Sequence, residues 1–309
     1  MHKIEMTWIL VGLTAVCGCS RASSKANGAT TTVVAPASGS SADAAKTGAS
    51  NGGRDGDSFE GFDRNDYPGD QAMQQLRKVF TFTGYWLTNP PGENTNTWEG
   101  KRTALRTQGW GFLVLANGRF DKEILQAQKA GTTPGVLGKR DAAAAVAAAK
   151  REGFPAGTIV FLDQEEGGRL LEEQANYLLA WTEAVAASGF KPGVYASGQR
   201  VQDDPGVWID TVEDIRARVK KSELHEVAIF DALDQCPPAP GCTIHAKPLS
   251  AAPDPDLTVW QYSQSPRRPE ITQSCAATYA SDGNCYAPGV SGVFLDMDTA
   301  SSADPSHGR

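Results

Sequence analysis

Histidine is scarce: the chain of 309 residues has four, His2, His225, His245 and His307. None stands at the end of a predicted strand, which disfavours a zinc-dependent reaction. Long apolar runs are missing too. The stretch over residues 7–18 is shorter than the roughly 20 residues that a spanning helix needs, which excludes a lasting membrane anchor there. Basic clusters are absent, with 29 Lys and Arg against 36 Asp and Glu and a formal charge of −7. So mildly acidic a surface excludes nucleic acid as a partner. No Gly-x-Ser-x-Gly elbow occurs, and Ser197-Gly198 reads as a strand-to-helix turn rather than a nucleophile. Gly167-Gly168 lacks the lysine and spacing of a phosphate loop. No cofactor and no metal site is expected, although magnesium on carboxylates, in a phosphodiesterase, stays open as an alternative.

What is present begins with an export signal. Residues 1–18 fit a signal peptide with a weakly basic flank. Val16-Cys17-Gly18-Cys19 resembles a bacterial lipobox, which implies cleavage before Cys19 and a lipid on its thiol; plain secretion is the alternative. Ser20 after that cysteine suggests outer-membrane sorting in a cell with two membranes. Residues 19–58 are mostly Ala, Ser, Gly and Thr. They offer too little apolar surface to offset the entropy of ordering, so a flexible, lipid-anchored linker is expected. A coil of roughly 40 residues has an r.m.s. span on the order of 35 Å. The protein is thus expected in the envelope or secreted, touching membrane only through an N-terminal lipid. The other cysteines form two close pairs, Cys236 with Cys242 and Cys275 with Cys285. In an exported chain these read as local disulfides, and their spacing is wrong for a four-cysteine zinc site.

Residues 59–300 have the usual length of one large α/β barrel. Short apolar runs bounded by Gly, Pro or Asn predict eight strands, at 59–63, 79–86, 111–115, 158–163, 192–197, 226–231, 258–262 and 292–296. Helical patterns lie at 70–78, 98–107, 141–151, 170–188 and 211–221. Beyond the sixth strand the connections are rich in Pro, Gly, Ser and Cys and carry no helical period. The expected fold is therefore α/β, a TIM-type barrel of eight strands with helices mainly on the first five crossovers. Residues 301–309 are expected as a disordered tail.

Acids recur at the predicted strand ends: Asp63, Asp163 with Glu165, Asp231, and Asp296 with Asp298. In such barrels chemistry sits at the carboxyl ends of the strands. Asp163 and Glu165 are two apart and so point the same way from a strand. Paired carboxyls of this kind can act as general acid and base on a sugar bond. The competing explanation is that they cap the helix that follows. Aromatic residues accompany the acids: Tyr85 and Trp86, Tyr195, Trp260 and Tyr262. Flat rings suit the C–H faces of pyranoses.

Gly61-Phe-Asp63, Phe-Leu-Asp163-Gln-Glu165, Val259-Trp-Gln-Tyr262 and Phe-Leu-Asp296-Met-Asp298 resemble, in that order, the family 25 glycoside hydrolases, which are muramidases. The opening Gly-Phe-Asp and Tyr-Pro-Gly are similar to a related set of exported bacterial proteins carrying a glycoside-hydrolase-like barrel of unknown function. The resemblance implies Glu165 as general acid and Asp163 as its partner carboxylate. It implies a sugar subsite lined by Asp63 and Asp296, with Asp298 lining the cleft; Tyr85, Tyr195, Trp260, Gln261 and Tyr262 are the further residues expected to bind the sugar. The implied partner is a polysaccharide such as peptidoglycan. Burial and the nearby Asp63 and Asp163 are expected to raise the pKa of Glu165. Gln164 between the acids and the segment 88–98 depart from the muramidase pattern. A glycan-binding barrel that does not cut is the second reading.

Overall fold

The computed structural model describes residues 58–233, 247–254, 256–263, 290, 293 and 295–309. The expected signal peptide, the expected linker up to residue 57 and Cys19 lie outside the described residues. So do Cys236, Cys242, Cys275 and Cys285, the four cysteines of the two expected disulfides.

Eight strands close a barrel: β1 (Phe59–Asp63), β2 (Phe82–Trp86), β3 (Gly111–Asn117), β4 (Ile159–Asp163), β5 (Lys191–Ser197), β8 (Ala228–Ala232), β9 (Val259–Ser263) and β10 (Asp296–Ala300). Their order around the barrel is β1-β10-β9-β8-β5-β4-β3-β2. All neighbours pair in parallel except β10, which runs antiparallel to both β1 and β9. A two-stranded hairpin, β6 (Val201–Asp204) and β7 (Val207–Ile209), follows β5 outside the barrel.

Helices cover the early crossovers: α1 (Asp70–Leu76), α2 (Arg102–Thr107), α3 (Asp121–Lys129), α4 (Pro134–Glu152), α5 (Glu172–Ala187) and α6 (Thr211–Lys221). In α5, Ala175, Leu178, Trp181 and Val185 form the buried stripe that helical spacing predicts. The α4 helix starts seven residues before the expected Asp141, because Thr133 caps it and Pro134 occupies its first turn. Gly153, with φ 81°, ends it. The polar α3 and the hairpin were not expected.

The last strand corrects the reading of the sequence. It lies at 296–300 rather than 292–296, and it runs opposite to its neighbours. Asp296 and Asp298 therefore begin it instead of ending it. The antiparallel direction still brings its first residue to the mouth, where Asp296 pairs across from Asp63.

Residues 301–309 are a second correction, since they are packed against the far end of the barrel. The β3–β4 ladder starts only at Leu115 and Phe161, which leaves the strand beginnings apart. The C-terminal segment fills that gap. Phe112 N donates to Asp304 Oδ1 at 2.9 Å, Val114 N to Ser306 Oγ at 2.8 Å and Ile159 N to the Ser306 carbonyl at 2.9 Å. Ser306 N returns a bond to the Phe112 carbonyl at 2.9 Å. Nearby, Arg102 Nη2 donates to the Gly308 carbonyl at 2.6 Å. Buried backbone groups that lacked a strand partner are satisfied by this segment.

Candidate functional site

The period of two along each strand decides which side chains enter the barrel. Asp63 on β1, Trp86 on β2, Leu115 on β3, Asp163 on β4, Tyr195 on β5, Phe230 on β8, Gln261 on β9 and Asp296 on β10 point inward at the carboxyl-end mouth. With Asn65 and Glu165 from the loops, they line a cavity of about 150 Å3. Beneath them the Phe161 and Phe230 rings, 6.0 Å apart, supply an apolar floor. Gly84 makes room for Asp63, because a Cβ there would lie 2.5 Å from that of the aspartate.

A relay of hydrogen bonds holds Asp63. The Tyr195 hydroxyl donates to Gln261 Oε1 at 3.0 Å, and Gln261 Nε2 donates to Asp63 Oδ2 at 2.8 Å. Below it lies Asp298, fully buried, whose oxygens receive no N–H or O–H donor from other described residues. Asp298 and Asp63 are within bonding reach of each other. Two carboxyls bond only when a proton sits between them. Burial first, and then the charges of Asp63 and Asp296, push the Asp298 carboxyl well above the ordinary range. Asp63 is raised chiefly by burial, against the lowering effect of its bonds to Gln261 and Asp298.

Asp163 and Glu165 form the second pair. Burial holds Asp163 well above the usual carboxylate range, and the charges of Glu165 and Asp63 add to this. Glu165 is exposed at the mouth, yet partial desolvation raises it as well, against the lowering effect of its hydrogen bond with Asp163. The expected rise of Glu165 thus comes from its surroundings, while the bond with Asp163 works against it. One proton is shared between the two carboxyls, which titrate as a unit. Tyr195, partly buried among Asp163, Glu165, Asp63 and Asp296, is kept neutral by desolvation and by those charges. Its position shows that four of the acids picked out from the sequence converge on one point.

Other expected site residues lie elsewhere. Tyr85 points out of the barrel, donates to Glu152 Oε2 at 2.6 Å and packs on Phe112 and Phe154. Trp260 and Tyr262 flank the inward Gln261 and so face outward; the Trp260 indole donates to the Leu233 carbonyl at 3.2 Å, and the Tyr262 hydroxyl to Glu60 Oε1 at 2.7 Å. Asp298 supports Asp63 from below and does not line the cavity. Asp231, the strand-end acid of β8, faces out into a separate cavity. Glu166 turns away to accept from Asp121 N at 2.7 Å and Gln174 Nε2 at 2.6 Å, which caps α3. Asn65, Leu115 and Phe230 were missed, and Trp86 was not assigned to the site. Parity along β2 would have chosen Trp86 over Tyr85. Among the described residues, no group of three or more His, Cys, Asp or Glu is placed to hold a metal ion.

A family model described as "Rv2525c-like, glycoside hydrolase-like domain" matches residues 81–235, half of the chain. No curated protein matches the sequence. Among solved structures, the fold is similar to an uncharacterized protein of B. stearothermophilus, at 20% identity and a TM-score of 0.49, over 78% of this chain and 95% of that one. It is also similar to the Tat-secreted protein Rv2525c of Mycobacterium tuberculosis, in complex with L-tartrate, at 12% identity and a TM-score of 0.46, over 79% and 95%. A family GH25 lysozyme from Aspergillus fumigatus aligns at 13% identity and a TM-score of 0.42, over 79% and 93%.

Proposed function

The chain belongs to the Rv2525c-like, glycoside hydrolase-like domain family, and from that premise we propose that its barrel mouth hydrolyses a glycosidic bond in peptidoglycan or a related amino-sugar polymer of the cell envelope. The observation that carries this reading is the placing of the Asp163 and Glu165 carboxyls side by side in a cavity that opens at the mouth, where desolvation raises both above the ordinary carboxylate range. Such a pair can supply the acid that glycoside cleavage needs near neutral pH.

In this mechanism Glu165, the less buried member, presents the shared proton to the glycosidic oxygen. Asp163 replenishes it through their hydrogen bond, and the water that adds to the anomeric carbon returns a proton to the pair. Asp63, locked by Gln261 and Asp298, is the charge that faces the developing positive centre on the sugar. Tyr195, Asp296, Asn65 and Trp86 orient the ring, with the Trp86 indole fixed by its bond to the Arg64 carbonyl at 3.0 Å. The cavity, at about 150 Å3, is below the roughly 300–1,000 Å3 of ordinary ligand sites. It suits part of one sugar at the end of a longer cleft. Export and a lipid on Cys19 belong to the same proposal. So do the two local disulfides, one joining Cys236 to Cys242 and the other Cys275 to Cys285.

One observation favours a second reading, a tethered barrel that binds glycan without cutting. Asp163 is buried and pushed well above the ordinary carboxylate range, whereas Glu165, the acid nearest the cavity opening, is exposed. Release of new reducing ends from purified peptidoglycan decides between the two. The hydrolase reading requires release that Glu165→Gln removes while polymer binding persists. Binding without any release leaves only the glycan-binding barrel.

A further inference from the structure

A second cavity, of about 580 Å3, lies outside the barrel wall where β5 and β8 end, between the turn at Gly198–Arg200, the start of α6 and the segment at Pro253–Asp254. Its volume falls within the range of ordinary small-molecule sites. Asp231 forms its inner wall. That carboxyl is fully buried, and neither oxygen has a hydrogen-bond partner among the described residues. Gly198 N donates to the Ala232 carbonyl at 3.1 Å and lies close enough to Asp231 to lower its pKa somewhat. Glycine is needed there because a Cβ would come within 2.2 Å of Asp231 Oδ1.

The charges around it do not balance. Arg216 is taken by Asp254, with both oxygens at 2.7 Å, and by the Asp256 carbonyl. Arg200 is taken by the Trp208 carbonyl at 2.8 Å and by Glu213 at 3.4 Å. Asp210 Oδ1 caps α6 through Glu213 N at 2.7 Å. Among the described residues, no cation in the wall pairs with it or with Asp231. A buried acceptor with no donor is costly unless something supplies one. Burial first, and then the charges of Asp254 and Asp210, push Asp231 up to about 7, against the lowering effects of the Gly198 amide and of Arg216.

We propose that this cavity binds a ligand carrying a primary ammonium group on an aliphatic arm, with the ammonium seated on Asp231 and Asp210. Leu233 and Pro253 provide the apolar wall for the arm. An ammonium brings three donors and one positive charge, which matches two carboxylates with free acceptor capacity. Guanidinium is less suited, because its flat fork needs a single coplanar carboxylate with both oxygens presented. This site shares no lining residue with the Asp163–Glu165 cavity, so it stands whether or not that cavity turns over a glycan.

Calorimetric titration of the full chain at pH 8 tests it, with Nα-acetyl-lysine methylamide as the amine probe and its Nε-acetylated form as the uncharged control. The amine probe is expected to bind at least tenfold more tightly than the control. Asp231→Asn should weaken the amine probe at least tenfold and leave peptidoglycan release unchanged. Asp210→Asn, which keeps a good helix cap, should weaken it several-fold and serves as the test should Asp231→Asn fail to fold. Equal binding of the two probes, no binding of either, or undiminished amine binding in both variants overturns the proposal.

Discussion

At the far end of the barrel, Ser306, Asp304 and Gly308 give nearby strand starts and Arg102 their hydrogen-bond partners, with distances between 2.6 and 2.9 Å. At the mouth, Asp163 and Asp298 are buried with at least one oxygen that no ordinary donor reaches among the described residues. Both ends bury polar groups, yet one satisfies them with ordinary donors and acceptors and the other with shared protons. The first arrangement stabilises the fold over a wide range of pH. The second costs stability once those protons leave, which is tolerable only where the protons are used. Stability and chemistry thus sit at opposite ends, as barrel folds generally arrange them.

The largest test of that division is Glu165→Gln. Removing a positioned acid is expected to lower glycan cleavage by about 10²- to 10⁴-fold, equivalent to roughly 3–5 kcal/mol of barrier, with the melting temperature unchanged or raised. Ser306→Ala should do the reverse. It leaves the buried Val114 N–H unpaired and should cost about 1–3 kcal/mol in denaturant unfolding, without altering kcat.

The pH dependence of stability should follow the mouth. Asp163, Asp298 and Asp63 have folded pKa values raised above the unfolded value of about 3.9. Their contribution is therefore fully present below about pH 4 and is lost as pH rises through the folded values. Thermal melts should show the protein gaining stability as pH falls from 8 toward 5, and Asp298→Asn should flatten that rise. An unchanged slope in Asp298→Asn would place the buried protons elsewhere. The smallest effect belongs to Tyr85→Phe. Losing the bond to Glu152 should cost about 1 kcal/mol and leave cleavage as it was, because Tyr85 faces the helices. A fall in kcat with intact stability would return Tyr85 to the site.

Much of this was legible in the sequence, for specific reasons. Short apolar runs ending in Asp63 and Asp163 marked both strands and mouth. The alternation of side chains was under-used. Trp260, Gln261 and Tyr262 are consecutive, so all three could not enter one barrel; only Gln261 does. The same parity separates Trp86 from Tyr85, and Phe230 from Asp231. The last strand, Asp-Met-Asp-Thr-Ala, escaped because its inward face is acidic while the apolar Val293-Phe-Leu before it imitates a strand. The direction of β10 and the latch at Asp304–Gly308 are long-range pairings that no local pattern encodes. For Asp163 and Glu165, spacing alone does not carry depth: the first is buried and the second exposed at the mouth.

The central claim is that the mouth keeps a proton on the Asp163–Glu165 pair near neutral pH. Carbon-13 NMR of side-chain carboxyls, titrated from pH 4 to 9 in the wild type and in Asp163→Asn and Glu165→Gln, reads this directly. The account predicts carboxyl resonances titrating well above the ordinary range, one of them lost in Asp163→Asn and shifted in Glu165→Gln. Every Asp and Glu carbon titrating near pH 4, with both variants unchanged, would contradict it.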